Sequence, residues 1–490
     1  MKQRRLLYES VRDGALRDFL FEEGVEFPCG GTSLCGGCMI RVVSGDVPAT
    51  TEMRDAISER ELADGWRLAC RTEARGVVEL EVAQWSQQIL SDETAVPFEP
   101  RRGVGAVVDV GTTTLVAQRV DLESGQVTQV VTALNDQARH GADVMTRIGH
   151  DLQHPGQLGA MIRAQVRGML APMGDLEEIL LVGNTCMHHL FCNLSVESLA
   201  AVPFRSPHLG TQSLPEAVLG SPAVFLPCLG GFVGSDLFAG LVATGLLDSA
   251  ELGALLDLGT NGEIAVGNRD GVVCASTAAG PAFEGGRIRR GIRATHGAID
   301  RVECRDGRLH CHVIGGVSAR GLCGSGLVDA VAAALDLAWI HPGGRLENGR
   351  TDIDLGADVR LTQRDIRELQ LAKGAVAAGL HLLLNDRPLR ADRVFLAGAF
   401  GNYIRAESAR RIGLLPAWVT TPIAAGNTAL RGARMLLLAP SRRAAILERL
   451  ASVRHVELAG DPRFQDLFVE FMQLGAEMST SRLTQTTWRI

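Results

Sequence analysis

Aromatic residues are scarce in this chain of 490 residues, in which Phe, Trp and Tyr together make up 4% and tyrosine occurs twice. The chain also lacks an excess of basic residues, since its formal net charge is −7. Proteins that bind nucleic acids present a basic face and often stack bases on aromatic rings. These two shortages argue against a nucleic-acid-binding protein.

Long apolar runs are missing as well. The most apolar helical stretch, AVAAGLHLLL at 375–384, is about half the length that crosses a bilayer. The N-terminal MKQRRLLYES is basic but no apolar run follows it, so we expect no signal peptide. We therefore expect a cytoplasmic protein with no membrane contact, whose eleven cysteines are thiols rather than disulfides.

Three cysteines stand close together in CGGTSLCGGC, and a fourth follows after 31 residues. They are Cys29, Cys35, Cys38 and Cys70. Structural zinc sites usually pair two C-x2-C knuckles, whereas one is present here, and a redox dithiol would use only Cys35 and Cys38. A [2Fe–2S] cluster would use all four sulfurs, and the glycines would let backbone N–H groups turn toward its negative charge. The spacing favours the cluster, with zinc and unligated thiols as alternatives.

Residues 1–85 resemble the [2Fe–2S] ferredoxin domain, an α+β fold of the β-grasp type. MIRVVSGDV after the cysteine loop alternates like a strand, and VVELEVA at 77–83 predicts another strand of a small sheet. The first gap between cysteines is five residues rather than four, which is nearer the adrenodoxin-like branch than the plant type. Residues 86–102, polar with two prolines, predict a linker that either is mobile or lies along the next domain.

Two strand–turn–strand segments repeat 148 residues apart, DVGTTT from Asp109 and DLGTNGE from Asp257. Glycine after a strand lets the backbone approach a phosphate, hydroxyl and N–H groups donate to it, and a carboxylate holds Mg²⁺ directly or through water. One such turn is a weak signal, but two inside three-strand meanders indicate a duplicated domain that grips a nucleotide. The predicted phosphate-binding residues are Gly111, Thr112, Thr113, Thr114, Gly259, Thr260 and Asn261.

Neither a P-loop nor a G-x-G-x-x-G between a strand and a helix is present. The two turns instead resemble the phosphate motifs of the acetate and sugar kinase, Hsp70 and actin superfamily (ASKHA). VFLAGAFGNYI resembles its adenosine motif, with Gly398 and Gly401, and GLCGSGLVDAVAAALDL its glycine-started helix, whose N-terminus favours an anion. The resemblance implies two RNase H-like α/β lobes, at 103–250 and 251–490, around a nucleotide cleft.

Two more acids are candidates for catalysis beside Asp109 and Asp257. Asp236, in GGFVGSD, is either a helix cap or a group that polarises attacking water. Glu263 follows the second phosphate turn and carries the same ambiguity. The segment AAGPAFEGG at 278–286 is either a structural turn or part of the cleft.

The chain as a whole resembles reductive activators of corrinoid proteins, through DVGTTT, GNTCMHHLF, FVGSD, DLGTNGE, AGPAFEGG, GLCGSGL and LAGAFGN. The resemblance implies that Mg²⁺ and ATP drive one electron from the [2Fe–2S] cluster to the Co(II) corrinoid of a partner methyltransferase protein, which regenerates Co(I). It also implies an electron donor protein or reductase, and we expect a homodimer. Since the chain has no D-x-H-x-x-G signature, the corrinoid would belong to the partner.

Three other functions compete with this one. Activators of 2-hydroxyacyl-CoA dehydratases share the ATPase core but hold a [4Fe–4S] cluster between subunits, and four clustered cysteines in one chain argue against them. A redox-sensing, ATP-binding regulatory module would bind a partner without turnover. An ASKHA-type small-molecule kinase with a redox domain would transfer phosphate.

Overall fold

The computed structural model describes residues 3–9, 16–23, 25, 27, 33, 38–83, 92–385, 387 and 389–475. These residues form a small sheet domain followed by two larger lobes, each built on a six-stranded sheet. Among them, no helix has both the length and the apolar character needed to span a membrane.

The small N-terminal domain is a four-stranded sheet with short helices. Its elements are β1 (Gln3–Glu9), α1 (Leu16–Glu22), β2 (Met39–Asp46), α2 (Thr51–Ala56), α3 (Glu59–Ala63), β3 (Trp66–Leu68) and β4 (Arg75–Ala83). The strand order is β1-β4-β2-β3, with antiparallel pairing throughout. One face of the sheet packs on a core that includes the fully buried Leu20, Ile40, Met53 and Leu80. Both strands that the sequence predicts after the cysteine loop are therefore present.

The first lobe carries the first phosphate turn between two strands. Its elements are β5 (Val104–Val110), β6 (Thr114–Asp121), β7 (Val127–Leu134), α4 (Val144–Gln153), α5 (Gln157–Leu170), β8 (Glu178–Val182), α6 (Thr185–Cys192), β9 (Gln212–Leu214), α7 (Glu216–Leu219), β10 (Ala223–Phe225) and α8 (Ser235–Thr244). The strand order is β7-β6-β5-β8-β10-β9, in which β5, β6 and β7 form an antiparallel meander and β8 runs parallel to β5. Because β5 is covered on both faces, its sequence is an almost unbroken apolar run.

The second lobe repeats this arrangement. Its elements are β11 (Gly253–Leu258), β12 (Gly262–Asn268), β13 (Gly271–Thr277), β14 (Ala298–Arg305), β15 (Arg308–Val313), β16 (Gly321–Leu322), α9 (Gly324–Asp336), β17 (Asp352–Asp354), β18 (Arg360–Thr362), α10 (Gln363–Leu384), β19 (Val394–Ala397), α11 (Gly398–Gly401), α12 (Ala406–Arg411), β20 (Ile423–Gly426), α13 (Thr428–Leu438), α14 (Pro440–Glu448), β21 (Val453–His455) and α15 (Pro462–Phe471). In the order β20-β19-β11-β12-β13-β21, strands β11, β12 and β13 form the meander and β19 runs parallel to β11. The predicted duplication is thus visible in the topology.

Helices α8 and α13 lie between the two sheets. The inner faces of both sheets share one core with them, in which Val107, Phe238, Leu255 and Leu436 are buried together. Although α13 and α14 come late in the sequence, they pack on the first lobe, and Arg443 of α14 forms an ion pair with Glu178 at the start of β8. The lobe boundary predicted at residue 250 stays a prediction, and these two helices cross it in space.

The second half of the predicted linker lies along the first lobe. Asp92 forms ion pairs with Arg431 and Arg434 of α13, and its backbone carbonyl accepts a 2.9 Å hydrogen bond from Gln118 of β6. Further on, the backbone N–H of Glu99 donates to the carbonyl of Leu438 at 2.8 Å. Of the two alternatives for the linker, the ordered segment therefore applies to residues 92–102, while residues 86–91 lie outside the described part.

Candidate functional site

A cavity of about 280 Å³ opens between the two lobes. It lies where the carboxyl ends of β5 and β11 meet, which is where open α/β sheets usually bind ligands. All but one of the residues predicted for the nucleotide site line it. They are Asp109, Gly111, Thr112, Thr113, Thr114, Asp236, Asp257, Gly259, Thr260, Asn261, Glu263 and Gly398. The exception is Gly401, which ends the short helix α11 and packs toward Leu396 of β19.

Each phosphate turn is tight and fixed by hydrogen bonds. At Gly111 a Cβ atom would lie 2.4 Å from the carbonyl oxygen of Thr114, so the turn after β5 has no room for a side chain there. The side-chain amide of Asn184 donates a 2.7 Å hydrogen bond to the hydroxyl of Thr112. In the second turn the hydroxyl of Thr260 donates to the Glu284 carboxylate at 2.9 Å. Both turns therefore place a threonine hydroxyl at the cleft in a position fixed by a hydrogen bond.

Four carboxyl groups face one another across the cleft and disfavour each other's ionisation. Burial, followed by the charge of Asp236, raises the pKa of Asp109 and that of Asp257 to about 7. Burial also raises the pKa of Asp236 to about 6. Burial and then the charges of Asp236 and Asp257 raise the pKa of Glu263 well above its usual range. A cation placed among them would reverse these shifts, because it favours the ionised forms.

The donor set fits Mg²⁺ held partly through water. Magnesium takes one or two carboxylates, several waters and phosphate oxygens rather than an all-protein cage. No group of three His, Cys, Asp or Glu side chains in the described ranges is placed to bind a metal ion directly. The acids of the cleft and the phosphates of a nucleotide would together supply the oxygen ligands that Mg²⁺ prefers.

Asp236 lies in the first turn of α8, where its carboxylate accepts a 2.8 Å hydrogen bond from the backbone N–H of Leu237. The N-cap of this helix is Gly234, so Asp236 is not the N-cap residue, although its carboxylate pairs with a backbone N–H of the first turn. Its carboxyl group lines the cleft instead. With a pKa raised to about 6 by burial, Asp236 has the basicity expected of a group that accepts a proton from water near neutral pH.

Several polar residues of the cleft were not individual candidates in the sequence, among them Asn184, Glu284 and Asn427. Asn184 and Asn427 are N-caps, of α6 and α13, and Asn427 also donates to Asp109. A repeated tripeptide, Gly-Asn-Thr at 183–185 and 426–428, could have revealed them. Glu284 lies in AAGPAFEGG, and the cleft alternative for that segment is the one that the structure shows.

The other end of the cleft is more apolar. Gly398 has a φ of 80°, and a Cβ atom there would lie 2.7 Å from Oδ1 of Asp257, so both its conformation and its surroundings require glycine. The rings of Phe283 and Phe400 stack with their centroids 4.4 Å apart and, with Tyr403, form part of the wall. Flat aromatic surfaces beside the glycine loop suit the face of a purine base.

Two of the four predicted cluster ligands lie side by side. Cys38 precedes β2 and is buried, and the half-buried Cys70 lies in a 3-10 turn just after β3. The backbone N–H of Ala69 donates to the carbonyl of Cys38 at 2.9 Å, which brings the two cysteines together across the sheet. Cys29 and Cys35 lie outside the described residues.

The described part of the cysteine loop includes one left-handed residue, a conformation that occurs in anion-binding turns. Ser33 has a φ of 64°, in the left-handed region, and its hydroxyl accepts a 2.6 Å hydrogen bond from Arg71. This bond ties the loop to the turn that carries Cys70. Left-handed residues aim successive N–H groups to one side, as an anionic cluster requires.

Known proteins contain the same combination of a cysteine-bearing domain and a two-lobed domain. Three family models match the chain: the 2Fe-2S iron-sulfur cluster binding domain over residues 3–75, the RACo middle region over 104–249, and the C-terminal domain of RACo, the ASKHA domain, over 251–483. The corrinoid activation enzyme RamQ of Eubacterium limosum is 34% identical over 413 residues, which cover 74% of this chain and 69% of RamQ. The chain belongs to the family of reductive activators of corrinoid proteins.

Two further similarities extend along the activator. The [Co(II) methylated amine-specific corrinoid protein] reductase of Methanosarcina barkeri is 28% identical over 413 residues, covering 74% of this chain and 76% of that reductase. A solved structure of a reductive activator for corrinoid, iron-sulfur protein is 25% identical, covers 95% of this chain and 97% of its own, and superposes with a TM-score of 0.68. The fold expected from the sequence, a ferredoxin domain joined to an ASKHA core, is therefore confirmed.

Proposed function

We propose that this activator passes one electron to the Co(II) corrinoid of a partner methyltransferase protein and thereby regenerates Co(I), with consumption of ATP. The observation that carries the proposal is the union, in one chain, of paired cysteines in a ferredoxin domain with a nucleotide cleft between duplicated lobes. The relatives support it, because RamQ is named for corrinoid activation and the Methanosarcina barkeri protein for reduction of a Co(II) corrinoid protein.

ATP is needed in this proposal because the acceptor has a lower reduction potential than the cluster. For a one-electron step, each 59 mV by which the acceptor's potential lies below the donor's lowers the equilibrium constant about tenfold. This corresponds to roughly 1.4 kcal/mol of free energy. A plant-type [2Fe–2S] cluster has a reduction potential of about −400 mV. An acceptor a few hundred millivolts lower would rarely be reduced, and ATP binding or hydrolysis offsets that difference through the conformation of the complex.

The residues of the cleft have distinct roles in this proposal. The two turns would donate N–H and hydroxyl groups to the phosphates, while Asp109, Asp257 and Glu263 would hold Mg²⁺. Asp236 accepts a proton from the water that attacks the terminal phosphate, so that hydrolysis yields ADP and phosphate. The cluster would supply electrons one at a time. Its ligands would be Cys29, Cys35, Cys38 and Cys70. An electron donor protein or reductase, a homodimer and a cytoplasmic location complete the proposal.

One assay tests the proposal directly. Reduced activator is mixed with a Co(II) corrinoid protein, with and without Mg²⁺ and ATP, and the cobalt absorption is recorded. Conversion to Co(I) only in the presence of ATP supports reductive activation. No conversion under either condition contradicts it, and transfer of label from γ-labelled ATP to a small molecule would instead favour the kinase.

A further inference from the structure

The ferredoxin domain is docked on the ATPase lobes through arginine side chains. Arg290 forms an ion pair with Glu61 of α3, and the two side chains are only 8% and 19% exposed. The guanidinium of Arg290 also lies 3.1 Å from the sulfur of Met39, the residue after Cys38. This contact therefore connects an ATPase lobe with the strand that follows the cysteine loop.

Two aromatic rings of the ferredoxin domain contact arginine side chains of the lobes. The Arg320 guanidinium lies 5.5 Å from the ring centroid of Trp66, and that of Arg139 lies 4.9 Å from the ring centroid of Phe21. Such contacts are individually weak. They widen the docked surface around the ion pair of Arg290 and Glu61.

Docking places the ferredoxin domain over the phosphate end of the cleft. A second cavity, of about 100 Å³, lies between Phe21 and Phe27 of the ferredoxin domain and the ATPase lobes. Thr113 and Thr260, one from each phosphate turn, line both this cavity and the nucleotide cleft, as do Glu284 and Arg293. The cleft thus adjoins a cavity that Phe21 and Phe27 of the ferredoxin domain line on one side.

The loop that carries Arg290 also takes part in the phosphate site. Glu284, six residues before Arg290, accepts a hydrogen bond from Thr260. Arg293, three residues after Arg290, lines the cleft. Arg290 itself has a φ of 59°, and its carbonyl accepts a 2.8 Å hydrogen bond from Leu322 of β16. Its backbone is therefore tied to β16, so a displacement of the loop together with β16 moves the Arg290 guanidinium too.

We propose that Arg290 is a positioning residue that latches the ferredoxin domain over the phosphate end of the cleft, and that nucleotide binding opens this latch. The inference rests on the proposed function, because it requires a nucleotide in the cleft. A phosphate at Thr260 takes the hydroxyl that now bonds Glu284, repels that carboxylate, and attracts Arg293. These forces shift the loop and separate Arg290 from Glu61.

The released domain stays close to the lobes. Asp92 remains anchored on α13, and nine peptide units join it to Ala83 at the end of β4. Nine peptide units span at most about 30 Å. The ferredoxin domain can therefore turn from the lobes toward a partner docked beside them without leaving the complex.

Linkage gives a quantitative test. If nucleotide binding opens the latch, then breaking the latch in advance must tighten nucleotide binding by the same factor. We expect Arg290→Ala and Glu61→Gln to bind Mg²⁺·AMP-PNP at least about 5-fold more tightly than wild type in calorimetric titrations. Arg54→Ala is the matched control, because Arg54 pairs with Glu59 on the surface of the ferredoxin domain.

Hydrogen exchange of the backbone at residues 58–68 supplies the second readout. Mg²⁺·AMP-PNP is expected to raise exchange there in the full-length wild-type protein, and Arg290→Ala is expected to show the raised level without nucleotide. The charge-swapped pair Arg290→Glu with Glu61→Arg should restore both the affinity and the protection. Circular dichroism confirms that each variant is folded, and Glu61→Gln provides the test if Arg290→Ala does not fold.

The outcomes separate this inference from the proposed function. If wild type binds Mg²⁺·AMP-PNP but the affinity and exchange of both latch variants match wild type, the latch is overturned and the proposed function stands. A charge swap that behaves like the single variants also overturns it, since Arg290 would then have only a local structural role. If wild type binds no nucleotide, the proposed function fails and the latch fails with it.

Discussion

The side-chain amide of Asn427 donates a hydrogen bond of 3.3 Å to Oδ2 of Asp109, a residue 318 positions earlier in the chain. Asn427 is the N-cap of α13, and the body of that helix packs on β5, the strand that ends at Asp109. The hydrogen bond favours the ionised carboxylate and opposes the effects of burial and of Asp236 on its pKa. The C-terminal half of the chain thus orients the first acid of the cleft.

Asp109→Asn is expected to weaken the use of Mg²⁺ and ATP while it leaves the iron–sulfur absorption unchanged. The variant keeps the size of the side chain but removes the charge that would attract the ion. Hydrogen bonds to charged groups contribute about 1.5–3 kcal/mol, so kcat/KM for ATP hydrolysis should fall at least about tenfold. Steady-state hydrolysis and the visible spectrum measure the two effects.

The control for this variant is Asp270→Asn, an exposed acid in the turn at the opposite end of the second meander. Its ATP hydrolysis should equal that of wild type. Unchanged ATP turnover in Asp109→Asn would remove Asp109 from the site.

Cys38→Ser is expected to abolish the visible [2Fe–2S] spectrum and to leave ATP hydrolysis in place. Cys38 is buried beside the turn of Cys70, whereas the nucleotide cleft is formed by the lobes. A serine hydroxyl is a far weaker iron ligand than a thiolate. Absorption after anaerobic reconstitution with iron and sulfide, together with an ATPase assay, gives the result.

Cys304→Ser provides the matched control, because Cys304 is an exposed cysteine of β14 in the second lobe. Its spectrum should be that of wild type. If Cys38→Ser keeps the full spectrum, the set of cluster ligands inferred from the spacing is wrong.

The cleft acids are expected to make the protein less stable as the pH rises, when EDTA removes divalent ions. Burial and Asp236 raise the pKa of Asp109 to about 7, so the folded state binds a proton that the unfolded state loses near pH 4. Between these values the free energy of unfolding falls with pH, by at most about 1.4 kcal/mol per pH unit for one such group. Above about pH 7 this contribution is constant.

Comparison with Asp109→Asn isolates that contribution. Urea unfolding at pH 5, 6, 7 and 8 in EDTA should show the variant gaining stability relative to wild type up to about pH 7. Excess Mg²⁺ should reduce the difference most at high pH, where the carboxylates are ionised. Parallel pH profiles of the two proteins would mean that Asp109 keeps an ordinary pKa.

Features that depend on a local sequence pattern could be predicted, whereas contacts between residues far apart in the sequence could not. The turns after Asp109 and Asp257 were predictable, because an apolar strand, an acid and a glycine occur in order within a few residues and the order repeats. The contact of Asn427 with Asp109 and that of Arg290 with Glu61 were not, since each joins residues that lie far apart in the sequence. A single ion pair between domains leaves no periodicity in either segment.

Gly401 illustrates the opposite error. Gly401 and Gly398 both lie in the segment that resembles the adenosine motif, so the sequence alone predicts that both line the nucleotide site. The helical turn of α11 places Gly401 three residues on, facing β19 rather than the cleft. Which glycine lines a cleft depends on the helical phase, and a four-residue helix gives too little pattern to show it.

Gly398→Ala is expected to reduce nucleotide affinity without loss of the iron–sulfur spectrum. The φ of 80° is unfavourable for alanine, and the new methyl group would lie 2.7 Å from Oδ1 of Asp257. The β19–α11 turn must then shift away from the acid, which widens the cleft, and strain of about 1–3 kcal/mol corresponds to a loss of roughly 5- to 150-fold in affinity. Gly149→Ala in α4 is the control, because its added methyl group meets no atom within 4 Å and should leave affinity unchanged. Equal Kd values for Mg²⁺·AMP-PNP in Gly398→Ala and Gly149→Ala would show that the loop at Gly398 does not contact the nucleotide.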